Sequence, residues 1–106
     1  MGGSRHRPEA CPAPTVAAIH AAIIMLGMIA ELSVHDLPSP GVFPVPGGGV
    51  QLEWQFGDRY LEIEFAPDGS AGYLAVSETG EKDERDLPAW APRQVKDLID
   101  RLTAAA

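Results

Sequence analysis

The chain has 106 residues, 45% hydrophobic and 22% charged, which suits one small folded domain and excludes a second. Eight basic against fifteen acidic residues leave a net charge of −7, which excludes a nucleic-acid interface built on clustered Lys and Arg. A single cysteine cannot form an internal disulfide, so a cytoplasmic protein is the default expectation.

Residues 1–13 are rich in Gly, Pro and Arg without periodicity and are expected to form a poorly ordered terminus. Cys11 lies there with no CxxC partner, and His6, His20 and His35 are spaced too irregularly for a ligand set, so no thiol or metal site and no cofactor is expected.

Pro14 suits a first helical turn, and the following apolar stretch predicts a helix over 14–32. Only His20 is polar between Val16 and Ala30. Those residues would span ~22 Å as a helix, short of the ~30 Å hydrocarbon core, so no membrane span is expected. A signal peptide is disfavoured by Glu9, by Pro8, Pro12 and Pro14, and by the lack of a small-x-small cleavage pattern. At about 100° per residue, Val16, Ile19, Ile23 and Leu26 form one face and Met25, Met28, Ile29 and Leu32 another. A helix so widely apolar needs cover on more than one side. Either the C-terminal helix supplies it, or a homodimer forms through Ile19, Ile23, Leu26, Met25, Met28 and Ile29. His20 reads as a rim residue.

Residues 33–49 carry Pro38, Pro40, Pro44 and Pro46 and end in Gly47-Gly48-Gly49, which predicts an extended connector, with Val42-Phe43 at most a short edge strand. The glycines lack the Lys and Ser/Thr of a phosphate loop and read as a turn into the next strand.

From residue 50 the periodicity is two. Val50, Leu52, Trp54 and Phe56 alternate with Gln51, Glu53 and Gln55, and Leu61, Ile63 and Phe65 alternate with Glu62 and Glu64. Gly57-Asp58 between them fits a type II′ hairpin turn, which sets Trp54 opposite Leu61 and Leu52 opposite Ile63. That register also opposes Glu53 to Glu62 and Gln51 to Glu64 on the outer face, where like charges destabilise by up to ~1 kcal/mol. Ala66-Pro67-Asp68-Gly69-Ser70 predicts a turn into a third strand over 71–77. A three-residue bulged loop would turn Tyr73 and Ala75 inward, and a four-residue loop Leu74 and Val76. Glu81 to Asp86 is too charged for more than an edge strand or loop. Pro92 opens a helix over 92–103 with Val95, Leu98, Ile99 and Leu102 as its apolar stripe.

The fold class is therefore α+β: an N-terminal apolar helix, an antiparallel meander of three to four strands over 50–86, and a C-terminal amphipathic helix packed on one sheet face, together one domain over 14–106. The segment from Glu53 to Asp86 has ten acids against Arg59, Lys82 and Arg85, a net of −7, so it accounts for the whole charge of the chain.

The run Gly47-Gly48-Gly49-Val50-Gln51-Leu52-Glu53-Trp54, then Arg59-Tyr60-Leu61-Glu62-Ile63-Glu64-Phe65 and Pro67-Asp68-Gly69, resembles a family of small uncharacterised bacterial proteins. In that family a Pro-rich connector precedes a GGVQLEW…LEIE…PDG hairpin. The resemblance covers Pro38 to Ser70, with a helix before it, and implies the fold and a bacterial origin without implying a reaction. Family members often carry a Trp-Asp-Gly segment before the helix, which Arg5 to Pro14 lack here.

An outer face of Gln51, Glu53, Gln55, Tyr60, Glu62 and Glu64 is complementary to a basic protein surface. The expected function is a non-enzymatic interaction protein, antitoxin-like, immunity-like or regulatory. Two other readings stand beside it. One is a small hydrolase or metal-binding protein using Glu53, Glu62 and Glu64, although an open sheet offers little of the cleft such chemistry needs. The other is a structural homodimer module with no specific ligand.

Overall fold

A computed structural model describes residues 13–32, 37–88 and 91–104. The expectations for residues 1–12, including His6 and Cys11, and for His35 fall outside the described residues.

The chain runs α1 (Val16–Leu32), β1 (Gly41–Val45), β2 (Gly49–Phe56), β3 (Arg59–Phe65), β4 (Ala71–Val76), β5 (Lys82–Leu87) and α2 (Pro92–Thr103). The five strands form one antiparallel sheet in chain order, and both helices pack on the same face, giving the α+β arrangement anticipated above. The strand count is higher than expected. β1 comes out of the Pro-rich connector and pairs Val42 with Leu52 and Pro44 with Val50. Its proline is tolerated because β1 lies at the sheet edge, where one side of the backbone has no neighbour to receive an N–H.

Turn chemistry sets the register. Gly57 has φ +62, as a type II′ turn requires at its first central position, and β2 and β3 pair Glu53 with Glu62 and Leu52 with Ile63. Between β3 and β4, Ala66 N–H donates to the Ser70 carbonyl (2.8 Å), and Gly69 takes φ +91, leaving a three-residue loop of Pro67-Asp68-Gly69. The choice for the third strand is thereby made: Tyr73 faces Ile63 and Ala75 faces Leu61 on the helix-covered side, and Leu74 and Val76 join the open side.

The core lies between sheet and helices. Leu52, Trp54, Leu61, Ile63 and Phe65 meet Ala18, Ala22, Met25, Met28 and Ile29 from α1 and Val95, Leu98, Ile99 and Leu102 from α2. The N-terminus of α1 is fixed by Thr15, so the helix starts at Val16, two residues later than Pro14 suggests. The Thr15 Oγ1 accepts from the Ala18 N–H (3.1 Å) as an N-cap and donates to the Pro67 carbonyl (2.6 Å), so one side chain starts the helix and ties it to the β3–β4 turn. At the other end of the sheet, Arg59 donates to Glu78 (3.3 Å) and to the Ala104 carbonyl just past α2, where a cation suits the helix dipole.

Asp83 joins three elements. It accepts from Tyr73 Oη (3.1 Å), Arg85 Nε (2.9 Å) and both terminal nitrogens of Arg101 (3.1 Å each). The Arg85 guanidinium, with help from Tyr73 and Arg101, holds its carboxyl below the usual carboxylate range. A carboxyl depressed in the folded state stabilises the fold above its ordinary pKa of about 3.9 and loses that contribution as pH falls through the lower native value. Asp83→Asn is therefore expected to lower the melting temperature at neutral pH and to flatten its fall below about pH 4, read from melting curves of both proteins across the acid range.

Candidate functional site

No described element covers the face of the sheet opposite the helices, and the strand register maps that face. One row reads Gly41, Glu53, Glu62, Leu74, Glu84, and beside it lie Phe43, Gln51, Glu64, Gly72, Asp86 and, on the other side, Gln55, Tyr60, Val76, Lys82. Leu74 thus lies between Glu62 and Glu84, with Glu64 and Asp86 diagonal to it, and Val76 lies between Tyr60 and Lys82. Gly72 floors a shallow depression rimmed by Glu62, Glu64, Leu74, Glu84 and Asp86.

Tyr60 sits at the centre of the network on this face. Its hydroxyl lies 2.8 Å from Glu53 Oε2 and 2.9 Å from Glu62 Oε1, and Gln51 Nε2 donates to the same Glu53 oxygen at 2.9 Å. The opposed glutamates are therefore bridged rather than simply set against each other. A phenol has one proton, so at any instant it serves only one of its two acceptors. Burial pushes the Tyr60 phenol above its ordinary pKa, and its hydrogen bonds to Glu53 and Glu62 push it further, so it stays a donor throughout the biological pH range.

Of the six residues anticipated on sequence grounds, Gln51, Glu53, Tyr60 and Glu62 come together in this network. Glu64 stands exposed beside it. Gln55 is occupied elsewhere: its amide donates to the carbonyls of Gly57 (2.8 Å) and Arg59 (3.1 Å) and fastens the hairpin turn. Sequence reasoning set Leu74 and Val76 beside the glutamates only for the three-residue loop, which is the one formed, and it missed Glu84 and Asp86. Their signal was the alternation in Lys82-Asp83-Glu84-Arg85-Asp86-Leu87, which puts Lys82, Glu84 and Asp86 on one face and buried Leu87 on the other.

Among the described residues, the ion pairs are Arg59–Glu78, Arg85–Asp83, Lys96–Asp100, Arg101–Asp83 and Arg101–Asp97. None involves Glu53, Glu62, Glu64, Glu84 or Asp86. No group of three or more His, Cys, Asp or Glu side chains among the described residues is arranged to hold a metal ion. No described helix is long and apolar enough to cross a membrane.

The residues expected at a dimer interface separate into two sets. Met25, Met28 and Ile29 are buried in the protomer core, Leu26 is half-buried against it, and Ile19 and Ile23 are exposed. Comparison with protein-family models, curated proteins and solved structures finds no match to this chain.

Proposed function

We propose that the protein is a non-enzymatic interaction protein of the bacterial cytoplasm, antitoxin-like, immunity-like or regulatory, that docks a basic protein partner on the open face of its sheet. The observation that supports this reading most is the shortage of donors at Glu53 and Glu62: the two carboxylates share one phenolic proton, the Gln51 amide adds a donor only at Glu53, and no cation among the described residues pairs with either. A partner's Lys or Arg would supply the missing donors as charge-assisted hydrogen bonds. Leu74 and Val76, half-buried in the same patch, supply apolar contact area that a purely solubilising surface does not need. The hydrolase or metal reading of Glu53, Glu62 and Glu64 is weaker, because side chains on an open strand face converge poorly on a reacting atom or on the six or more oxygens a hard cation takes.

The test is a charge-matched comparison of binding to a Lys/Arg-rich peptide. Glu53→Gln with Glu62→Gln and Glu64→Gln is expected to weaken binding by about tenfold or more, whereas Asp58→Asn with Glu78→Gln and Glu81→Gln, which removes the same formal charge from the turns, is expected to weaken it by less than about threefold. Equal losses from the two triple variants would mean that net charge, not this face, attracts the peptide.

A further inference from the structure

The sheet face leaves one large surface feature unused. On the outer side of α1, Val16 is 83% exposed, Ile19 43%, Ile23 62% and Ile24 46%. Such an apolar patch on a small acidic protein signals a covered surface. Gly27 lies on the same side, in the middle of the helix, where glycine costs roughly 0.5–1 kcal/mol against alanine. A Cβ added there would meet nothing within 4 Å, so no described neighbour within the protomer requires the glycine.

We infer that α1 is the interface of a symmetric homodimer in which a second copy crosses it antiparallel, with the two-fold axis at Ile23. Self-complementarity of the stripe supports this occupant. At about 100° per residue, Val16, Ile19, Ile23, Gly27 and Ala30 fall within about 80° of the helix surface. The stripe is bulky in its first half and small in its second. An antiparallel copy centred on Ile23 sets Ile19 against Gly27 and Val16 against Ala30 at both ends, filling each gap with a branched side chain. A parallel copy would crowd the bulky ends and leave a void between the small ones. Charge favours the same arrangement. Each copy carries −7, and the acidic open face of the sheet lies on the side away from α1, so copies meet most readily through this charge-free helix surface. Glu31 then approaches the start of the second copy's α1, where the helix dipole favours a carboxylate. Met25, Met28 and Ile29 take no part, because each copy buries them in its own core.

A single helix crossing buries less than the ~800 Å² per partner of a standard interface, which points to association in the micromolar range. Sedimentation velocity of the full chain across that range is expected to show the 11.3 kDa protomer shifting toward twice its mass as concentration rises. Ile23→Asp and Gly27→Leu should each raise the dissociation constant by about tenfold or more. Ile23→Asp should still fold, because Ile23 lies outside the core, and Gly27→Leu should melt no lower than the parent, because leucine is the better helix former. A protomer mass at every concentration would overturn the inference, as would a dimer that Gly27→Leu leaves intact. So would a monomer that co-sediments with phosphatidylcholine/phosphatidylglycerol vesicles, which would assign the stripe to a membrane surface instead.

Discussion

Phe65→Ala is expected to cost about 3–5 kcal/mol and to leave the domain largely unfolded at physiological temperature. Phe65 is 2% exposed on the helix-covered face, between Val50 and Ala71 of the neighbouring strands. Its backbone carbonyl also lies so close to Gly49 that no Cβ fits there, which packs the start of β2 tightly against the end of β3. Truncating the ring removes the transfer energy of a buried aromatic and leaves a cavity that a closely paired sheet cannot collapse around. A small domain has little stability in reserve against such a loss. Phe43→Ala is the control. That ring is 45% exposed on the edge strand, folded over Gly41, and its loss is expected to cost less than about 1 kcal/mol. Urea unfolding followed by far-UV circular dichroism separates the two; similar midpoints for both variants would show that the core is not where the burial pattern places it.

Tyr60→Phe is the second large effect, expected at about 1–2 kcal/mol, because it deletes the hydroxyl bridging Glu53 and Glu62 and leaves two half-buried carboxylates opposed across the ladder. The loss should shrink when Glu62 is already glutamine, since a neutral amide removes the repulsion and can itself donate to Glu53. A double-mutant cycle of Tyr60→Phe and Glu62→Gln, read by urea denaturation, should therefore be non-additive by about 0.5 kcal/mol or more. Additive losses would show that the three side chains do not act as a unit.

How much of this was legible in the sequence depended on whether local chemistry alone decided it. The β2–β3 hairpin was, because Gly57-Asp58 and the two alternating strands demand the same register, and so was α2, whose single apolar stripe leaves only one way to face the core. β1 was legible only as a short edge strand at Val42-Phe43, because Pro44 argues against a longer one unless its place at the sheet edge is known. The orientation of α1 was also hidden. With apolar residues around most of its circumference, periodicity cannot say that Met25 and Ile29 turn inward and Ile19 and Ile23 outward; packing against β2 and β3 decides that. On the open face, Glu53 opposite Glu62 followed from the hairpin. The Tyr60 bridge between them did not, because Tyr60 lies two pairs along the ladder from both and only its side-chain direction brings the hydroxyl to them. Leu74, Val76 and Glu84 joined the face only once the three-residue loop had fixed β4.

The most direct test of the acidic-face proposal is affinity purification from the native host with three baits run in parallel: the wild-type chain, the Glu53/Glu62/Glu64→Gln variant and the charge-matched Asp58→Asn/Glu78→Gln/Glu81→Gln variant. The account predicts a basic protein retained by the wild type and the matched variant, released by added salt, and lost from the open-face variant. Retention of the same partner by the open-face variant would contradict it.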